Sequence, residues 1–255
     1  MGRILNVGLD LGSAAIKVVF AEDGRILWRG LAPTAPGQAR IVQKLIEDGL
    51  ARLGLERELP MKVVSTGYGK KLFEQADRNI DEITANALGA FRLSEGKART
   101  VINIGGQDMK IMILDDRGRV ADFRMNDKCA AGTGRFFELI ARILDTPIAD
   151  FERLSASSSE ELEINSTCVV FAESEIISLL ARGVEKGDIL KALHVSIARR
   201  AAGLLGRISS DGAVFLDGGP AQNRALVAAI EDELMTDVHV LEAPQFTAAY
   251  GATLV

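Results

Sequence analysis

Two kinds of apolar spacing alternate along this chain. Short continuous apolar runs, each closed by glycine, give way to stretches whose apolar residues fall three or four apart. The first pattern reads as buried strand and the second as amphipathic helix, and their alternation predicts an α/β protein. Helical spacing predicts a helix over 41–53 and another over 81–93, with Asp81 as its N-cap. Between them, Met-Lys-Val-Val-Ser-Thr at 61–66 reads as a strand closing on Gly67, Tyr68 and Gly69. Further on, helices are predicted over 134–144, 171–180, 188–208 and 221–234. Strands are predicted over 213–217 and 238–240, and a last helix begins at Gln245.

The chain also repeats itself. Leu-Asp-Leu-Gly-Ser-Ala-Ala-Ile-Lys-Val-Val-Phe at 9–20 aligns without gaps to Ile-Asn-Ile-Gly-Gly-Gln-Asp-Met-Lys-Ile-Met-Ile at 102–113. Asp10 meets Asn103, Gly12 meets Gly105 and Lys17 meets Lys110. Each copy runs on through a turn, Glu22-Asp23-Gly24 or Asp115-Asp116-Arg117-Gly118, into another apolar strand. Each half is therefore expected to run strand, glycine turn, strand, hairpin, strand. The polar break at Ser94-Glu95-Gly96-Lys97 marks the boundary between the halves. The expected domains are 1–95 plus 243–255, and 96–242.

Composition narrows the function classes. Of 255 residues, 47% are hydrophobic and 25% charged, a globular profile that argues against intrinsic disorder. The net charge of -5 provides no basic footprint, so no nucleic-acid partner is expected. No apolar run reaches the roughly 18 residues a membrane span needs, and the N-terminal segment lacks the pattern of a secretory signal. A cytoplasmic protein with no membrane partner is the expectation. There are two histidines, His194 and His239, in no triad or metal spacing, which argues against His-based catalysis or a multi-His centre.

A glycine turn between strands lets backbone N–H groups approach phosphate oxygens, because no Cβ blocks the way. Asp10 ends the first apolar run, where its carboxylate can organise hydrated Mg²⁺. Two such turns followed by a strand ending in Gly218-Gly219 suit a cleft that closes around ATP. In these segments the chain resembles the superfamily of actin, heat-shock chaperones and sugar kinases. Gly8-Leu9-Asp10-Leu11-Gly12-Ser13 is similar to its first phosphate motif and Asn103-Ile104-Gly105-Gly106-Gln107-Asp108 to its second. Leu216-Asp217-Gly218-Gly219 resembles the adenosine motif, and Ala248-Ala249-Tyr250-Gly251-Ala252 the final connecting helix. The resemblance implies two duplicated actin-like (ribonuclease H-like) domains, mixed sheets flanked by helices, with the ATP cleft between them. It implies nucleotide contacts at Gly12, Ser13, Ala14, Lys17, Gly105, Gly106, Gln107, Gly132, Thr133, Gly134, Gly218, Gly219 and Asn223. Asp10, holding Mg²⁺ through water, and Gln107 and Asp108, as candidates to orient the attacking water, are the catalytic set it implies.

The two cysteines point to a branch of that superfamily. Cys129 lies in Asn-Asp-Lys-Cys-Ala-Ala-Gly-Thr-Gly-Arg-Phe at 126–136 and Cys168 in Ser-Thr-Cys-Val-Val-Phe-Ala-Glu at 166–173. Both precede predicted helices, where unpaired N–H groups and the helix dipole favour thiolate. If the protein is a two-fold dimer, four sulfurs meet on the axis, the ligand count of a [4Fe–4S] cluster. These segments closely resemble the activator ATPases of 2-hydroxyacyl-CoA dehydratases, which are related to benzoyl-CoA reductase ATPase subunits. The resemblance implies a homodimer sharing one [4Fe–4S] cluster, with Cys129 and Cys168 as ligands. It further implies that ATP binding and hydrolysis drive a low-potential electron from the cluster into a partner enzyme. That partner would be a 2-hydroxyacyl-CoA dehydratase, a benzoyl-CoA-type reductase or a double-cubane cluster protein, and the donor a ferredoxin or flavodoxin.

The chain departs from the pattern of that family at particular positions. Asn103 stands where Asp is usual, Ala14 replaces a hydroxyl residue after Ser13, and Asp217 and Pro220 vary the adenosine loop, where smaller neutral residues are usual. Two other readings use the same ATP cleft: a small-molecule kinase, and a nucleotide-binding sensor that hydrolyses poorly, which Asn103 would favour. Arg199-Arg200 is expected on a solvated helix face and Ser155–Ser159 in a surface loop.

Overall fold

The computed structural model describes residues 4–56, 59–126, 132–164, 169–206 and 212–255, with Val169 and Val170 described by their backbone alone. The described strands are β1 (Leu5–Leu11), β2 (Ala15–Glu22), β3 (Arg25–Pro33), β4 (Met61–Thr66), β5 (Arg78–Asn79), β6 (Ala98–Ile104), β7 (Met109–Leu114), β8 (Val120–Met125), β9 (Ala213–Asp217) and β10 (Val238–Val240). The helices are α1 (Gln38–Leu53), α2 (Glu82–Leu93), α3 (Gly134–Ile143), α4 (Phe151–Ser155), α5 (Val169–Ala181), α6 (Lys186–Leu205), α7 (Arg224–Leu234) and α8 (Thr247–Ala252). They build two five-stranded sheets, ordered β3-β2-β1-β4-β5 and β10-β9-β6-β7-β8, so each half opens with the three-strand meander the repeat predicts. The chain divides into two compact units. One comprises Met1–Arg99, Met112–Asp122 and Leu241–Val255, and the other Thr100–Ile111 and Phe123–Val240.

In the first unit β1 pairs antiparallel with β2 and parallel with β4. A strand hydrogen-bonded on both edges and covered on both faces must be apolar nearly throughout, and β1 is buried at every position but Asn6. On one face Leu9, Leu11, Ile16, Val18 and Phe20 pack with Val42, Leu45, Ile46 and Leu50 of α1. On the other, Val19 and Ala21 pack with Ala249 and Tyr250 of α8. Small residues set that second layer: a Cβ on Gly251 would collide with the Ala85 carbonyl of α2, and one on Gly89 with that of Thr247. The two helices therefore cross at backbone contact, the close packing expected of Gly251. Asp81 caps α2, its Oδ1 accepting from the Thr84 N–H at 2.8 Å.

In the second unit β9 pairs parallel with β10. Phe137 of α3 stacks on Phe151 of α4 and lies against His194 of α6, both at 5.8 Å between ring centres. The 221–234 helix begins later than its pattern suggests. Pro220 opens a 3-10 turn over Gly219–Gln222, and Asn223 then caps α7 by accepting from the Leu226 N–H at 3.1 Å. The serine loop is fastened at Asp188, whose Oδ1 accepts from the Ser158 hydroxyl and from the Ser159 and Glu160 N–H groups. Arg199 is half-exposed and bonded to Glu163, as a solvated helix face requires, but Arg200 is partly buried, its stem lying against Gly132, so the expectation holds for Arg199 alone. Among the described residues no helix is long and apolar enough to cross a membrane.

Candidate functional site

The two repeats fold into the same turn. Gly12 donates its N–H to the Ala15 carbonyl at 3.1 Å, and Gly105, its counterpart, donates to Asp108 at 2.8 Å. A Cβ on Gly12 would sit 2.8 Å from the Ala15 oxygen, and one on Gly105 would sit 2.7 Å from Asp108 Oδ1. Only glycine fits where the turn folds this tightly on itself. In the first unit Thr34 adds a brace, its hydroxyl donating to the Gly12 carbonyl at 2.7 Å.

Asp10 and Lys17 face each other across β1 and β2, and the Lys17 ammonium donates to Asp10 Oδ2 at 2.9 Å. Asp10 is buried, and its second oxygen, Oδ1, has no hydrogen-bond partner among the described residues. A buried carboxylate oxygen without a donor is costly unless a ligand completes it. Gly67, at φ 87°, leaves the space beside it open: a Cβ there would stand 2.5 Å from Oδ1. That orphaned oxygen and its glycine-lined cradle fit a hydrated Mg²⁺ held through water.

The second unit distributes the same residue types differently. Lys110 pairs with Asp108 rather than with position 103, at 2.6 Å and almost fully buried. Asn103 instead donates from Nδ2 to Asp217 Oδ1 at 2.7 Å, both residues being buried. The two catalytic candidates on the turn are thereby separated, with Asp108 buried in an ion pair and Gln107 exposed. Gly218, at φ 92°, passes so close to β6 that a Cβ would overlap the Ile104 carbonyl, while Gly219 faces open space. Asn223 is engaged at both ends of its amide, since Oδ1 caps α7 and Nδ2 lies 3.1 Å from His194 Nε2. Burial pushes the His194 imidazole down to about 4, so it is neutral at pH 7 and accepts from Asn223.

Cys129 and Cys168 both lie outside the described residues, and among the described residues no group of three or more metal-ligating side chains occurs. The flanks of 127–131 are described, and both are tied to the second turn. Upstream, Asn126 exchanges two hydrogen bonds with Met109. Downstream, Thr133 donates its hydroxyl to the Gly106 carbonyl at 3.0 Å. The Gly134 and Arg135 N–H groups donate to Gly105 and Gly106 at 2.8 and 3.0 Å. These N–H groups open α3 and would otherwise lack partners. Sequence reasoning named Gly132, Thr133 and Gly134 but overlooked Asn126, although the asparagine precedes the cysteine by three residues.

Two mixed five-stranded sheets flanked by helices, each half begun by the same strand–glycine turn–strand unit, define an actin-like ATPase fold. A family model described as the BadF/BadG/BcrA/BcrD ATPase family matches residues 7–255, and the chain belongs to that family. It is 42% identical over 254 residues to the activator of lactoyl-CoA dehydratase of Anaerotignum propionicum, covering 97% of this chain and 95% of that protein. Among solved structures it is similar to the activator of the 2-hydroxyisocaproyl-CoA dehydratase from Clostridium difficile with bound ADPNP. The TM-score there is 0.91 at 39% identity, covering 98% of this chain and 93% of that one. It is likewise similar to component A of the Acidaminococcus fermentans (R)-2-hydroxyglutaryl-CoA dehydratase, at TM-score 0.92 and 37% identity, covering 98% of this chain and 96% of that one.

Proposed function

We propose that this protein is an ATP-dependent electron-transfer activator. As a homodimer in the cytoplasm it would share one [4Fe–4S] cluster, bound by Cys129 and Cys168. Mg·ATP hydrolysis would then drive low-potential electrons into a 2-hydroxyacyl-CoA dehydratase or a related iron–sulfur enzyme. The observation that carries the reading is the near full-length identity of 42% to a protein named for activating such a dehydratase. Its two ATPase domains would be 1–95 plus 243–255 and 96–242, and a ferredoxin or flavodoxin would supply the electrons.

The nucleotide half of the reading is supported by the paired glycine turns and by Asp10. Backbone N–H groups at Gly12–Ala14 and Gly105–Gln107 would meet phosphate oxygens, with Gly218 and Gly219 approaching the adenosine. When bound, Mg²⁺ supplies charge neutralisation at the phosphates. Asp10 would hold its hydration shell through the oxygen that lacks a partner among the described residues, while Lys17 fixes the carboxylate from its other oxygen. Of the two turn residues, the exposed Gln107 would be the one to orient a water. Asp108 is committed to Lys110 in a buried pair and serves to hold the turn.

The electron half is supported by the sequence around the two cysteines and by the attachment of the Cys129 segment to the second turn. Five hydrogen bonds join residues 126 and 133–135 to Gly105, Gly106 and Met109. A change of the turn with nucleotide state would be passed to both flanks of the Cys129 segment. The test uses the anaerobically purified dimer, chemically reduced and mixed with a 2-hydroxyacyl-CoA dehydratase. Dehydration should require Mg·ATP, and a non-hydrolysable analogue should not support it. Activation that proceeds equally without nucleotide would overturn the coupling.

A further inference from the structure

The repeat aligns Asn103 with Asp10, yet the second unit does not lack a carboxylate at that place. Asp217, at the C-terminal end of β9, brings its Oδ1 within 2.7 Å of the Asn103 amide. Asp217 is fully buried, and Asn103 nearly so. An amide N–H directed at a buried carboxylate fixes the direction in which the carboxylate points. The backbone leaves Asp217 little freedom. The next residue, Gly218, adopts φ 92° and runs against the Ile104 carbonyl, where a Cβ would overlap it. Asn103 is the penultimate residue of β6, just ahead of the second glycine turn, and Asp217 ends β9 immediately before the Gly218–Gly219 loop.

These two positions are also two of the departures from the pattern that the sequence resemblance implies, and in the fold they touch. An acid is replaced by an amide at 103, and an acid appears at 217. We propose that the two departures are one exchange: the carboxylate that the second unit presents toward Mg·nucleotide has moved from β6 to β9. Asp217 carries the charge, and Asn103 is the positioning residue that orients it. This inference rests on the nucleotide reading given above. It also removes the reason to regard Asn103 as the mark of a protein that hydrolyses poorly.

The test is an exchange cycle on the full-length protein purified without oxygen: Asn103→Asp, Asp217→Asn and the double variant. Two measurements are made, the Mg²⁺ dependence of fluorescent ADP binding and the melting temperature of the nucleotide-free protein. Asp217→Asn keeps the shape of the side chain, and is expected to raise the Mg²⁺ concentration for half-maximal binding about tenfold or more. Asn103→Asp places two carboxylates in contact, and is expected to lower the melting temperature by roughly 5 °C. The double variant is expected to return both quantities close to wild type, within about twofold for Mg²⁺. An Asp217→Asn protein with unchanged Mg²⁺ dependence would reduce the pair to a structural contact and overturn the inference, whatever its melting temperature. A double variant no better than the poorer single variant would overturn it equally. Wild-type protein that binds ADP without regard to Mg²⁺, or not at all, would instead remove the nucleotide reading on which it stands.

Discussion

Asn126 and Met109 hold each other twice: the Asn126 N–H donates to the Met109 carbonyl at 3.1 Å, and Asn126 Oδ1 accepts the Met109 N–H at 2.7 Å. Met109 is the first residue of β7 after the second glycine turn, and Asn126 is the last described residue before the Cys129 segment. Thr133, Gly134 and Arg135 attach the other flank to the same turn. Replacing Asn126 by Ala leaves the Met109 N–H without its side-chain acceptor, a loss of about 1–3 kcal/mol. ADP affinity is expected to stay within about threefold, while ATP-driven electron delivery falls about tenfold, because one flank is released from the turn. Equal losses in both would show that the contact supports folding alone.

Asp10 offers a different separation of effects. Asp10→Asn preserves the shape but removes the charge that Lys17 contacts and that a hydrated Mg²⁺ would share. Hydrolysis is expected to fall roughly hundredfold, the scale seen when one preorganised electrostatic group is lost from a reaction centre. Steady-state ATPase assays across a range of Mg²⁺ concentrations check this. Undiminished hydrolysis would place the catalytic carboxylate elsewhere.

His194 gives the protein a defined acid sensitivity. Its pKa is about 4 in the folded chain, against about 6.5 when unfolded. As pH falls, the unfolded chain takes up the proton first. The stability contributed by neutral His194 is therefore complete above about pH 6.5 and lost progressively down to about pH 4. The full contribution is on the order of 3 kcal/mol, of which about 2 kcal/mol disappears by pH 5. Urea unfolding of wild type near pH 7 and pH 5 is expected to show that loss, and His194→Gln is expected to lack it. The same slope in both proteins would assign the sensitivity to other groups.

The α2–α8 crossing predicts opposite outcomes for two glycine-to-alanine changes. At Gly251 the new methyl would overlap the Ala85 carbonyl, so the helices must separate, at a cost of about 3 kcal/mol or more. At Gly203, inside α6, a Cβ meets nothing within 4 Å, and alanine is expected to stabilise by about 0.5–1 kcal/mol. Chemical denaturation of the two variants distinguishes them, and a tolerated Gly251→Ala would contradict the backbone contact.

Much of this arrangement was legible in the sequence because local signals and burial agree. The strands at 61–66 and 213–217 are largely buried runs ended by glycine, and they and the more exposed strand at 238–240 occupy the expected limits. Asp81 was readable as a cap because the acid stands one residue ahead of a periodic apolar stretch. The repeat exposed the two glycine turns since each needs glycine at the same step. Helix α4 was not legible: five residues are too few to show a period, and the Phe137–Phe151 stacking that accompanies it depends on how α3 and α4 pack, which no local pattern encodes. The late start of α7 was signalled by Pro220 and Asn223 but masked by the apolar residue at 221. The Asn103–Asp217 contact spans 114 positions and depends on the ends of separate strands coming together, which no local pattern encodes. The cysteines were legible only through their resemblance to a family, and they lie outside the described residues.

The central claim, a cluster shared by two copies of this chain, is tested most directly by iron and acid-labile sulfide per dimer in protein purified without oxygen. The account predicts about four iron and four sulfide per dimer, the content of one [4Fe–4S] cluster, and their loss in Cys129→Ser. Iron absent after anaerobic reconstitution, or retained in full by Cys129→Ser, would contradict it.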